Sequence, residues 1–361
     1  MSSAQLQRRR VVPGVVRRLS LSGLLLGLMG GCGLWTTDSV GLQNDDHQAG
    51  LSAVGGEVVR HGVRLTDQQR HVLLDLGPSR AGDRWTITAE LPFGQTQQLL
   101  VVLFDEDLNM LHRGLLRSGD RLEHVVRRPT EMLRLGLCSR ESQSCLASVV
   151  VAMSHDQVVP PPRAQVVWLN FAGADNVSVN GWPAQSFGPF DAAELGPAYA
   201  GRTREIGDQV LQTVRDYYAD YDVLILSSYD APQPSVPHTT IHFGGQSRKH
   251  LGMSAGVDRY NSVGNDQAIV FTRSFSAFAA LDLSAEQMGR MIGTTAAHEL
   301  GHLLGLYHVC GDEQLMSEAD SAWTLVGQRV LGRAPLDPDV FPVGFEDAVQ
   351  LLEDTIGRRN S

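Results

Sequence analysis

The chain has 361 residues, 42% hydrophobic and 19% charged, long enough to bury a core and too apolar for a mostly disordered protein. Its formal net charge is −10, although Arg8, Arg9, Arg10, Arg17 and Arg18 open the chain with no acidic residue nearby. The body beyond them is therefore more acidic than the whole, which argues against a nucleic-acid partner.

Residues 1–31 read as an address. A basic start precedes an apolar run, Leu19 to Gly31, which is too short to span a bilayer and has the length of a secretory signal core. It ends Leu28-Met29-Gly30-Gly31-Cys32, and small residues directly before a cysteine resemble a bacterial lipobox. That resemblance implies cleavage before Cys32, acylation of its thiol and a lipid anchor in the cell envelope, with Gly33 favouring the outer membrane or cell surface. An ordinary signal peptide with a chance cysteine is the alternative. Residues 32–56 are polar and contain Gly50, Gly55 and Gly56, a flexible spacer.

Residues 57–154 read as an all-β sandwich. Trp85-Thr86-Ile87-Thr88-Ala89 alternates apolar and polar, Leu99–Phe104 is a continuous apolar run, and turn signals such as Gly82-Asp83 and Gly119-Asp120 recur. The pattern resembles, loosely, the prepeptidase-type domains that accompany secreted bacterial proteases. Asp105, Asp107 and Asn109 mimic the start of an EF-hand loop, but Met110 and Leu116 stand where glycine and glutamate are needed, so a polar turn is the better reading. Cys138 and Cys145 lie between two apolar runs and read as a disulfide clamping a hairpin, worth about 2–3 kcal/mol. Cys310 is then odd; it is a buried thiol or displaces one member of that pair.

Pro160-Pro161-Pro162 marks a linker over residues 155–164, and residues 165–361 follow with an α+β pattern. Val166–Phe171, Val223–Leu226, Thr240–Phe243 and Ala268–Phe271 read as strands of a mixed sheet. Ile206, Val210, Val214, Tyr217 and Tyr221 form a helical stripe, and Phe345–Leu352 reads as a C-terminal helix. Ser284 with Gln287 forms a capping box that opens a long helix.

That helix runs into His298-Glu299-Leu300-Gly301-His302-Leu303-Leu304-Gly305-Leu306-Tyr307-His308. Four residues apart, His298 and His302 share one helical face. Gly305 can take a positive φ and end the helix sharply, bringing His308 back to the same point. Three neutral imidazoles can hold one zinc ion with a position left open, and Glu299 can serve a water there as general base. A purely structural zinc site would have no use for that carboxylate.

Residues 298–308 match the zinc-binding consensus of the metzincin clan of endopeptidases, which this chain resembles. The resemblance implies zinc on His298, His302 and His308, Glu299 as the base, and a Met-turn at Met316 beneath the metal. The spacing of Met316 from His308 looks like the matrixin branch. Glu318 stands where the astacin and serralysin branches carry a tyrosine ligand, so that ligand should be absent, and no matrixin-type cysteine switch occurs. The clan's substrate-pairing edge strand would fall at Leu251–Val257, where a glycine-rich loop is the competing reading, and its specificity wall at Ser317–Leu325. The expected activity is cleavage of a peptide or protein substrate. The rivals are a surface binding lipoprotein with an idle zinc domain, and a zinc hydrolase of non-peptide amides.

Overall fold

A computed structural model describes residues 58–66, 68–92, 98–139, 145–155, 157–319 and 321–359. Residues 1–57, with Cys32 and the expected signal and spacer segments, lie outside the described residues. Among the described residues no helix is long and apolar enough to cross a membrane.

The N-terminal half is built from eight strands: β1 (Val58–Leu65), β2 (His71–Ser79), β3 (Arg84–Glu90), β4 (Leu99–Phe104), β5 (Met110–Leu116), β6 (Arg121–Val125), β7 (Thr130–Ser139) and β8 (Cys145–Ser154). They form two antiparallel four-stranded sheets, ordered β1-β8-β3-β6 and β2-β7-β4-β5. Along β3, Trp85, Ile87 and Ala89 turn inward, as the alternation requires, and meet Leu99, Val101 and Leu103 of β4. The other face of β4 is covered as well. Leu100, Val102 and Phe104 pack with Leu336, Val340 and Phe341 from far along the chain. Burial on both faces explains the unbroken apolar run. Gly136 of β7 makes room for this seam: a Cβ there would lie 2.8 Å from both Phe104 and Phe341.

Two expectations change here. β7 and β8 are not a hairpin, since β7 pairs with β2 and β4 while β8 pairs with β1 and β3 in the opposite sheet. The Cys138 sulfur lies 3.5 Å from the carbonyl oxygen of Ser139, and the side chain of Cys145 lies outside the described residues, so the proposed clamp has no support. The Asp105 turn is a closed polar loop. Its Oδ1 accepts from the amides of Asp107 (3.0 Å) and Asn109 (2.8 Å), and its Oδ2 accepts from Asn109 Nδ2 (2.9 Å).

The C-terminal half follows with β9 (Gln165–Asn170), a small hairpin β10 (Ala174–Val177) and β11 (Gln185–Phe187), and α1 (Thr203–Tyr217). Then come β12 (Val223–Ser227), β13 (Thr239–Phe243), β14 (Gly252–Ser254), β15 (Gln267–Val270) and α2 (Ala285–Leu303). The chain closes with α3 (Ala322–Val326), β16 (Arg333–Pro335), β17 (Phe345–Asp347) and α4 (Ala348–Thr355). The sheet order is β12-β9-β13-β15-β14, parallel except for β14, the antiparallel edge strand. Ile206, Val210 and Val214 of α1 join Met288, Ile292 and Ala296 of α2 in the core beside this sheet. The capping box forms as expected, with Ser284 Oγ accepting from Gln287 N at 3.1 Å and Gln287 Oε1 accepting from Ser284 N at 2.9 Å.

The expected helix at 345–352 starts later than the sequence pattern implies. Phe345 pairs with Pro335 in the β16–β17 ladder, and Asp347 caps α4 through Gln350 N at 3.0 Å. The expected edge strand at 251–257 shortens to β14. Along the proline segment, Pro160 O accepts from Arg127 Nη1 at 2.7 Å. An aromatic seam joins the halves. His112 and His124 of the sandwich sit with ring centroids 5.6 Å apart, and His124 stacks on Tyr260 at 5.8 Å. Arg127 lies over the same tyrosine ring at 4.2 Å.

Candidate metal centre

The last turns of α2 present His298 and His302 on one face, with ring centroids 4.8 Å apart. The helix ends at Gly305, whose φ of +99° reverses the chain; Gly305 N donates to His302 O, and Leu306 N to Gly301 O, both at 2.9 Å. A side chain is excluded there for a second reason, because a Cβ would lie 3.0 Å from Arg259 Cα and Tyr260 N. The reversal carries His308 back over the helix. Its Nε2 lies 3.2 Å from His298 Nε2 and 3.0 Å from His302 Nε2, and the ligand atoms of all three residues lie within 4.8 Å of one another.

The tautomers follow from the partners. His298 Nδ1 donates to Leu315 O and His302 Nδ1 to Leu306 O, both at 2.8 Å; a carbonyl only accepts, so each Nδ1 carries the proton. The Nε2 lone pairs of both rings then point at His308 Nε2. A single proton on His308 could satisfy only one of them, so the cluster is an acceptor-rich cage suited to a cation. Ligand–nitrogen bonds of about 2.0–2.1 Å at tetrahedral angles would place the nitrogens about 3.3 Å apart, close to the observed spacing. Burial holds all three imidazoles neutral. It pushes His302 down to about 3, helped by the His308 ring, and His298 well below the usual range, helped by both other rings, and it lowers His308.

Met316 lies beneath the helix. A Cβ on Gly301 would overlap the Met316 sulfur, so the missing side chain at 301 lets the turn approach. Met316 O accepts from Val309 N at 3.2 Å, and Ser317 O accepts from Arg329 Nη2 at 2.8 Å. The turn therefore also fixes Leu315 O, the acceptor that orients His298. Glu318 lies by the third imidazole, with Oε1 3.8 Å from His308 Nδ1. Cys310 sits outside the cage, its sulfur 3.7 Å from Leu336 O.

Glu299 is buried and points toward β14. Ser254 favours the ionised carboxylate through its backbone N–H and its hydroxyl, yet burial dominates and pushes the Glu299 pKa up to about 8. Gly252 touches the same carboxylate: a Cβ there would lie 2.6 Å from Oε1 and 2.7 Å from Cγ. Leu251 O accepts from Phe271 N and Ala255 N donates to Gln267 O. The odd-numbered residues therefore face β15, and the backbone groups of Gly252 and Ser254 lie on the open edge of the sheet. Neither Gly252 nor Ser254 carries a sequence signal, because their roles arise from the approach of α2 to the sheet edge.

No family model and no curated protein sequence matches the chain. Among solved structures, archaemetzincin from Methanopyrus kandleri is similar at 13% identity, over 48% of this chain and 91% of that one, with a TM-score of 0.28. The pre-peptidase C-terminal domain of a Bacillus anthracis collagenase is similar at 13% identity, over 27% and 88%, with a TM-score of 0.21. A mitogen from Yersinia pseudotuberculosis is similar at 9% identity, over 28% and 91%, with a TM-score of 0.23.

Proposed function

We propose that this chain is a zinc-dependent endopeptidase whose metal is held by His298, His302 and His308. The observation that carries the reading is the cage itself, three neutral imidazoles with two Nδ1 protons committed to backbone carbonyls and the Nε2 atoms converging beside a buried carboxylate. When bound, zinc there supplies Lewis acidity toward a peptide carbonyl and lowers the pKa of water toward about 7.

The chain's own residues supply the proton transfers and the orientation. Glu299 accepts the proton of the attacking water and returns it to the leaving nitrogen, which requires the ionised form first; a nearby dication favours that form against the burial that raises its pKa. Ser254 aims the carboxylate, and the lack of a side chain at Gly252 leaves it room. Apart from the Ser254 N–H, which serves Glu299, the open edge of β14 offers backbone groups to an extended substrate, a strand-addition mode beside the general base. Met316 supports the cage by packing under Gly301. The N-terminal segment belongs to the same proposal: cleavage before Cys32 and acylation of its thiol would tether the enzyme to the cell envelope.

Metal analysis of the purified protein, paired with digestion of a peptide library, tests this reading. About one zinc per chain and defined cut sites are expected, and Glu299→Gln should keep the zinc and lose the cleavage. Cleavage that persists in Glu299→Gln overturns the catalytic assignment. A wild-type protein that binds zinc and cuts nothing supports an idle domain instead.

A further inference from the structure

The turn that delivers His308 is held by a buried ion pair, and that pair is completed by the sandwich. Arg259 Nη1 donates to Gly305 O at 3.0 Å and to both carboxylate oxygens of Glu346, at 2.8 and 2.9 Å. Glu346 Oε2 in turn accepts from Tyr307 N at 3.2 Å. The pair thus grips the chain on both sides of Leu306, whose carbonyl orients His302, and directly before the third ligand. The remaining donors of Arg259 cross the seam: Nε donates to Leu111 O at 3.0 Å and Nη2 to Met110 O, both on β5. The side chains are 6% and 1% exposed, so an Arg259 without β5 would keep buried donors unsatisfied.

Resting on the three-histidine reading of the site, we propose that Arg259 and Glu346 are positioning residues for the metal cage, and that β5 of the sandwich is part of its support. The sandwich then serves the metal centre from within the same chain. Its carbonyls fix the planar guanidinium, the guanidinium and Glu346 fix Gly305 and Tyr307, and that geometry sets where the third imidazole stands. Lysine cannot replace the fork, because a single ammonium cannot reach Gly305, Glu346 and the two β5 carbonyls together.

The test compares zinc affinity, measured on the full chain by competition with a chromogenic chelator, with thermal unfolding of the zinc-free protein. Arg259→Lys should bind zinc on the order of 10–100-fold more weakly, the range for groups that orient metal ligands. Ile87→Ala, which hollows the core between the two sandwich sheets away from the cage, should lower the unfolding temperature and leave zinc affinity unchanged. If Arg259→Lys does not fold, the double variant Arg259→Met/Glu346→Leu replaces the pair by apolar groups and should fold while showing the same loss of affinity. Either folded variant binding zinc as tightly as the wild type overturns the inference. Zinc-free behaviour of the wild type itself would instead overturn the metal reading on which it rests.

Discussion

Gly252→Ala should separate catalysis from folding. The glycine φ is not in the left-handed region, so alanine brings no backbone strain, and the atoms nearest its methyl would be those of the Glu299 side chain, at 2.6 Å from Oε1 and 2.7 Å from Cγ. Ordinary carbon contacts are about 3.5–4.0 Å, so the carboxylate must retreat by about 1 Å. The carboxylate is the movable end of a side chain, which keeps the stability cost small; the entropy gain of alanine over glycine in a strand, roughly 0.5–1 kcal/mol, offsets much of it. Catalysis has no such tolerance, since a misplacement of about 1 Å can cost on the order of 10²-fold. The assay is kcat/KM on a fluorogenic peptide, run beside zinc content and thermal unfolding. A variant that folds, holds zinc and keeps kcat/KM within about threefold of wild type would refute the placement of Glu299 as the base and of β14 as its neighbour.

Three further outcomes follow from the same geometry. His308→Ala removes a cage member, so zinc at 100 times the wild-type Kd, which should stabilise the wild type by about 2.7 kcal/mol, should leave the variant's unfolding temperature unmoved; an equal shift in both proteins argues against His308 as a ligand. The aromatic seam should make the fold acid-sensitive. Burial lowers His112 to about 4 and His124 further, with His112, Arg259 and Arg127 adding positive charge around His124. The native state then binds fewer protons than the unfolded chain between about pH 6.5 and 4, so stability is full above this window and falls as pH drops through it, by about 3 kcal/mol for His112 alone. Denaturant unfolding at pH 7 and pH 5 reads the slope, and His112→Asn should flatten it; an unchanged slope excludes this source. Phe341→Ala empties a fully buried site against Phe104 and should cost about 3–5 kcal/mol by the same unfolding assay, whereas a loss below about 1 kcal/mol would mean that the seam closes over the gap.

What the sequence made legible were features written locally. The histidine spacing, the glycine bend and the capping box each follow from a few consecutive residues on one helix, and the structure assembles all three. The alternation of β3 gave its face correctly because one side is core and the other is not. The failures came from partners distant in sequence. Cys138 and Cys145 looked like a hairpin clamp because they are close in sequence, yet the chain crosses between sheets there. Phe345 looked helical by its spacing to Val349, yet Pro335 draws it into a ladder before Asp347 can cap the helix. Gly252, Ser254, Arg259 and Glu346 were invisible for the same reason: each matters through a neighbour at least 45 positions away, which no local pattern encodes.

The two-sided burial of β4 limits how the protein can be dissected. A fragment ending near the proline segment would retain every strand of the first eight, but it would strip Leu336, Val340 and Phe341 from a sheet face carrying Leu100, Val102 and Phe104. That face would then be a bare greasy surface in water, with reason to stick to itself or to the walls of a tube. Binding data from such a shortened protein would report on an artificial surface that the intact molecule never shows.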